Sequence, residues 1–197
     1  MAKVVANMSV SLDGFVADAS DGVGQVFAWI GAGSVPIRLP DGSESSLVSE
    51  ASARHVTKMW AQARALVAGR RTFDLAGGWQ GNPPLGLPTF VVTHQIPEGW
   101  KNDGNPFTFV TEGVESAVAQ AKTVAGDGIV AVSGADITQQ CLNAGLLDEI
   151  SMDLVPVLLG SGVRYLDRLT DTPIELEGPD VVEGTGVTHL VYRINRT

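Results

Sequence analysis

The sequence predicts an α/β fold: a mixed, mainly parallel central sheet flanked by helices and closed by a C-terminal antiparallel hairpin. Three observations predict it. Short valine-rich runs alternate with segments of helical spacing as far as Leu159, the pattern of parallel strands joined by helical crossovers. Several of these runs stop at a glycine or a Ser-Gly pair just where helical spacing begins. Beyond about Pro173 the residues alternate with a period of two on either side of Gly184-Thr185-Gly186, which marks a hairpin.

Each element follows from its residues. Lys3–Val10 alternates and is rich in valine, a first strand that runs into Ser11-Leu12-Asp13-Gly14. Residues 18–46 are rich in Gly, Ser, Asp and Pro but carry Phe27, Trp29 and Ile30, so a loop-rich insertion is expected there. Glu50–Ala65 sets Ala53, Val56, Met59, Trp60 and Ala63 at helical spacing. A strand at Ala65–Ala68 leads into a short helix from Arg70 to about Ala76, stopped by Gly77-Gly78. Pro88–Thr93 and Phe107–Val110 read as strands, and Val114–Ala125 as a helix ended by Gly126. Gly128–Val132 is a buried strand that opens the helix Ile137–Ala144 through Ser133-Gly134-Ala135-Asp136. Glu149–Leu159 is a long apolar strand before the turn Gly160-Ser161-Gly162. The whole is read as one domain over residues 1–197.

Composition narrows the function. The chain has 197 residues, 44% of them hydrophobic, enough for a substantial core. A net charge of −9 argues against coating a polyanion, so no nucleic-acid partner is expected. A small anionic ligand stays open, because a few local arginines can hold one phosphate. The single cysteine, Cys141, makes neither an internal disulfide nor a cysteine metal cage, and no metal is expected. The N-terminus MAKVVANMSVSLDG lacks the apolar core of a signal peptide. Nor are there about 18 consecutive apolar residues, so no membrane span is expected and a cytoplasmic location is the default.

Ligands of open α/β sheets sit at the carboxyl ends of the strands. Three such ends carry suitable chemistry. Gly69-Arg70-Arg71-Thr72 sets two arginines on a helix start, where the helix dipole already supplies positive charge. Either these arginines are solvated, or a phosphate neutralises them. Thr93-His94 ends a buried strand with a hydroxyl and an imidazole. Ser133-Gly134-Ala135-Asp136 supplies small residues where a pyrophosphate can rest on a helix N-terminus, although it is not the G-x-G-x-x-G fingerprint. Together the three ends point to a dinucleotide, and the double arginine to one with an extra 2′-phosphate. Arg71 is taken as the sharper probe of that phosphate. Two carboxylates stand out as proton donors. Asp13 is either this or part of an ordinary Asp-Gly turn; Asp153, inside ISMDLVPVLL, is either this or exposed to water. Trp29, Phe27 and Trp79 either cover an aromatic ligand or belong to the core.

The ordered set SLDGFVA (Ser11–Ala17), VAGRRTFD (Val67–Asp74), FVVTH (Phe90–His94), VSGADITQQCL (Val132–Leu142) and LDEISMDLVPVLLGSG (Leu147–Gly162) resembles the dihydrofolate reductase-like superfamily. Within it, the chain is similar to the bacterial branch that holds the reductase domain of bifunctional riboflavin-biosynthesis proteins. The resemblance implies an NADPH-dependent reductase, 5-amino-6-(5-phosphoribosylamino)uracil reductase-like, acting on a small heteroaromatic or carbonyl-type substrate. It implies that Gly69, Arg70, Arg71 and Thr72 form the phosphate-binding turn, and that Thr93 and His94 contact the 2′-phosphate and adenine. Ser133, Gly134, Ala135, Asp136, Ile137 and Thr138 match the segment under the pyrophosphate and nicotinamide, with Ser133 in place of the first of two glycines. Ser9 and Val16 match positions whose backbone holds the nicotinamide carboxamide. Asp13 matches an aspartate near the substrate pocket, and Asp153 falls where folate reductases carry a threonine. A homodimer is also implied.

The pattern departs from the family at the 18–46 insertion, longer than in compact riboflavin-type reductases, and at the pterin site of the folate reductases. Their pterin-directed carboxylate lies on the helix before the GRxT turn, and the matching region around Ser52–Arg54 has no acid, with Glu50 out of register. A nucleotide-binding or ligand-sensing module without turnover is therefore the alternative.

Overall fold

The computed structural model describes residues 2–39, 42–101 and 104–195. In chain order, β1 (Lys3–Ser11) is followed by β2 (Phe15–Ala17), β3 (Val35–Arg38) and β4 (Glu44–Val48). Next come α1 (Glu50–Trp60), β5 (Ala63–Gly69), α2 (Arg70–Leu75), β6 (Thr89–Val92) and β7 (Phe107–Val110). Then follow α3 (Val114–Ala125), β8 (Ile129–Ser133), α4 (Ala135–Asn143) and β9 (Glu149–Val155). The chain closes with β10 (Val163–Arg164), β11 (Leu176–Gly184) and β12 (Val187–Ile194).

An eight-stranded sheet runs in the order β11-β12-β9-β1-β8-β5-β6-β7. From β9 to β7 every pairing is parallel; β12 joins β9 antiparallel and β11 returns beside β12. The C-terminal alternation therefore does form an antiparallel edge on a parallel sheet. A sheet of this kind needs cover on its faces. On α3, Val114, Ala117, Val118, Ala121 and Ala125 recur at helical spacing and are buried in the main core with Val4, Val67, Val130 and Val132. α4 adds Ile137, Cys141 and Leu142 to the same cluster. Burial pushes the Cys141 thiol up to about 12, which leaves it an inert core residue.

A second core joins α1 to the sheet: Ala53 and Val56 of α1 pack with Trp29, Ile37, Val48, Val155 and Val187. Residues 18–46 thus form more than a loop. They contribute Trp29 and the strand β3, which pairs with β4, although residues 40–41 of that segment lie outside the described residues.

Several boundaries differ from the sequence reading, each for a physical reason. The helix expected to reach Ala65 stops at Trp60, because Ala63 and Ala65 are fully committed to β5, where both are buried. The strand expected to reach Leu159 stops at Val155. Pro156 has no N–H to continue the ladder, and Leu158 beyond it is 69% exposed. α4 starts two residues earlier than read, at Ala135.

Candidate active site

The carboxyl ends of the parallel strands open onto a cleft of about 1300 Å³. Such a volume exceeds the roughly 300–1,000 Å³ of most small-ligand pockets. Its walls are the turns that the sequence singles out. Gly69, Arg70, Arg71 and Thr72 leave β5; Thr93 and His94 leave β6; Ser133, Gly134, Ala135, Asp136 and Ile137 leave β8. Ser9 of β1, Val16 of β2 and Asp153 of β9 complete the lining from that list.

The β5 and β8 turns touch. Gly134 has φ +107°, and a Cβ built on it would lie 2.6 Å from Thr72 Oγ1. A Cβ on Gly69 would lie 2.8 Å from Ile137 Cγ1. Both positions therefore require glycine for close approach. The Gly134 N–H points to Met8 Sδ at 3.2 Å, a weak sulfur acceptor that an anionic oxygen would outcompete.

The two arginines diverge. Arg70 Nε donates to Asp74 Oδ1 at 2.8 Å and Nη1 to the Gln95 carbonyl at 3.1 Å. The same carbonyl accepts from Thr93 Oγ1 at 2.8 Å, so Arg70 belongs with the β6 end. Arg71 reaches instead to the segment after β2, where its Nη2 donates to both oxygens of Asp21 at 2.6 Å. Cations on this helix start are thus balanced by carboxylates within the chain.

Asp153 is 5% exposed, yet it lines the cleft. His189 of β12, fully buried, lies opposite it in the strand register, with Nδ1 2.7 Å from Asp153 Oδ1. His189 Nε2 lies 2.9 Å from Ser52 Oγ, and Ser52 Oγ accepts from Ser49 Oγ at 3.0 Å. An ionised Asp153 can only accept, so Nδ1 is the donor towards it and Nε2 is left to accept from Ser52 Oγ. The imidazole then keeps its proton on Nδ1 and donates to Asp153. Asp153 Oδ2 is left towards Asn7 Nδ2 at 3.5 Å, and Asn7 also lines the cleft.

His55 stacks on His189 with ring centroids 4.6 Å apart and planes 23° apart. Burial, and then the neighbouring His189, push its pKa below 6.5 against the pull of Asp153. Ligand atoms of His55, Asp153 and His189 lie within 4.8 Å of one another. Both nitrogens of His189 are already engaged, with Asp153 and with Ser52. Hydrogen bonds hold His189 and Asp153 together, while His55 Nε2 is buried with no partner among the described residues.

Two of the expected site residues lie elsewhere. Asp13 does not line the cleft; Ser11 Oγ donates to its Oδ1 at 2.6 Å, Leu159 N to Oδ1 at 3.1 Å and Gly160 N to Oδ2 at 2.7 Å. These bonds, the Ser11 hydroxyl first, hold its pKa down at about 2, and they tie the turn after β1 to the segment after β9. Thr138 is fully buried and spends its hydroxyl on the Gly134 carbonyl at 2.9 Å, bracing the turn from behind. Of the three aromatic residues, only Phe27 lines the cleft. Trp29 donates to Ser9 Oγ at 3.0 Å, and Trp79 packs with Phe73 and Phe107.

Sequence reasoning missed Asn7, Asp21, Gln139 and the His189–Ser52 pair. A signal existed for His189: it shares the inward phase of its strand with Val187, an unusual place for an imidazole. Gln139 is 4% exposed and lines the cleft; its Nε2 donates to the Tyr165 carbonyl at 3.0 Å while Oε1 has no partner among the described residues.

Known proteins are similar to this chain in sequence or in fold. The uncharacterized protein YwjB of Bacillus subtilis (strain 168) is 26% identical over 114 residues, 57% of this chain and 64% of YwjB. Among solved structures, a candidate riboflavin biosynthesis protein from Shewanella sp. PV-4 superposes with a TM-score of 0.71 at 22% identity, covering 100% of both chains. Dihydrofolate reductase from Enterococcus faecalis, complexed with NADP(H), gives 0.59 at 15% identity over 98% of this chain and 97% of its own. A diaminohydroxyphosphoribosylaminopyrimidine deaminase/5-amino-6-(5-phosphoribosylamino)uracil reductase from Thermotoga maritima gives 0.61 at 12% identity. That match covers 98% of this chain but 57% of the bifunctional protein. These structures share the dihydrofolate reductase-like fold. A model of the RibD C-terminal domain matches residues 2–181, and the chain belongs to that family.

Proposed function

We propose that this protein is an NADPH-dependent reductase of a small heteroaromatic or carbonyl-type acceptor. The observation that carries the reading is one cleft in which two glycine turns touch, arginines stand at the rim and a buried carboxylate lies at the floor. The residues fit the cofactor. Gly134 and Ala135, at the start of the nine-residue α4, offer backbone N–H groups to a diphosphate. Arg70, beside Thr93 and His94, suits a 2′-phosphate better than Arg71, which faces the other way. The unpartnered Oε1 of Gln139 suits a carboxamide N–H. When bound, NADPH supplies the hydride.

The chain supplies position and a proton. Asp153 is held by His189 through Oδ1, so Oδ2 is the oxygen that meets the acceptor and passes it a proton. The acid that folate reductases carry on the helix is replaced by one on β9, and Ser52 of α1 acts only by fixing the His189 tautomer.

Tryptophan-fluorescence titration with NADPH and NADH tests the cofactor, with tighter binding of NADPH expected; equal or absent binding of both ends the reading. Turnover is tested by NADPH oxidation against a panel of aminopyrimidines, pterins, flavins and carbonyl compounds. Asp153→Asn is expected to keep NADPH affinity within about twofold and to lower turnover by about 10²–10⁴.

A further inference from the structure

Asp21 lines the cleft and is not among the residues given a role in the proposed reaction. Its two carboxylate oxygens both meet Arg71 Nη2 at 2.6 Å across a sequence separation of 50. A carboxylate and a phosphate present the same pair of oxygens to a guanidinium. Only one of the three guanidinium nitrogens is used, and Arg71 has no other partner among the described residues. The pair is also open to solvent, with side-chain exposures of 69% for Arg71 and 28% for Asp21. It is therefore a weak contact that a multiply charged phosphate can displace.

The backbone holds Asp21 in this position. Asp18 Oδ1 accepts from Ser20 N and Gly22 N, both at 2.8 Å, and Asp21 N donates to the Asp18 carbonyl at 3.1 Å. Within this small turn Asp21 has φ +63°, a left-handed conformation that aspartate tolerates. The turn follows β2, whose Val16 and Ala17 line the cleft. Arg70 is occupied at the β6 end, whereas Arg71 lines the same cleft as its neighbour Thr72 and as Gly134, whose touching turns the reductase reading assigns to the diphosphate.

We infer that Asp21 is an internal competitor for the cofactor diphosphate at Arg71: its carboxylate caps the guanidinium in the free protein and gives it up when the diphosphate arrives. This rests on the reductase reading for the identity of the ligand. No bond is made or broken; one oxygen pair replaces another.

Isothermal titration of NADPH, NADH and inorganic pyrophosphate into wild type, Asp21→Asn, Arg71→Ala and the double variant tests it. Both residues are at the surface, so all four proteins are expected to fold. Asp21→Asn is expected to tighten all three ligands by about fivefold, the upper end for an exposed pair. The gain is expected to vanish in the Arg71→Ala background. Unchanged or weaker binding by Asp21→Asn overturns the inference, as does tightening that persists without Arg71. Pyrophosphate separates the two claims: if Asp21→Asn tightens pyrophosphate through Arg71 while neither nucleotide binds, the reductase reading fails and the competitor stands.

Discussion

The chemistry of a carboxylate is set by what donates to it. Asp153 receives a single strong donor, the His189 imidazole, and is enclosed by protein. Removing its side chain strands a fully buried imidazole N–H, so Asp153→Ala is expected to cost about 1–3 kcal/mol of stability. Asp153→Asn keeps an acceptor oxygen and is expected to cost under about 1 kcal/mol. Urea unfolding of the two variants checks this, and equal losses would show that the His189 contact carries no weight. Asp13 has three donors, and its folded pKa of about 2 lies below the ordinary 3.8. A depressed acid stabilises the fold above its unfolded pKa and loses that contribution as pH falls through the folded one. The stability difference between wild type and Asp13→Asn is therefore expected to be full above about pH 4 and to vanish near pH 2. Unfolding midpoints measured across that range decide it; a difference that does not change with pH would remove the carboxylate from the loop tie.

At the scale of elements, the turn between β8 and α4 is the most demanding. Alanine at Gly134 would need φ near +107° and a Cβ 2.6 Å from Thr72 Oγ1. Gly134→Ala is thus expected to destabilise the protein by about 1–3 kcal/mol. It is also expected to weaken NADPH more than tenfold, because the touching turns must part; thermal melts and the fluorescence titration measure the two effects. This turn was legible in the sequence because small residues between a valine run and a helical segment have few other uses. Val114–Ala125 and Phe107–Val110 were legible to the residue, since Gly126 ends the helix and FTFV is a short run of strand-forming residues. The three-residue β2 and two-residue β10 were not. Strands that short carry no periodicity, and their pairing follows from the loops that bring Ala17 beside Val163. The Arg71–Asp21 and Asp153–His189 contacts were hidden for a related reason. Each joins residues 50 and 36 positions apart, and no local pattern encodes such a distance.

Across the whole molecule, the net charge of −9 opposes an anionic ligand, so affinity must come from contacts inside the cleft. Binding to the native state alone raises stability by about 2.7 kcal/mol at a hundredfold excess over Kd. For a chain of this size that corresponds to a rise in Tm of about 5–10 °C. NADPH is expected to give this shift, and NADH at the same concentration a smaller one, because it lacks the group assigned to Arg70. The sheet divides the cleft so that Arg70 sits with the β6 end and Arg71 with the segment after β2. Arg70→Ala is therefore expected to bring the two nucleotides' shifts together, whereas Arg71→Ala lowers both in parallel. That allocation differs from the sequence reading, which took Arg71 as the sharper probe of the 2′-phosphate. Differential scanning fluorimetry with both nucleotides on both variants decides between them: a selective loss of the NADPH shift in Arg71→Ala would return the 2′-phosphate to Arg71.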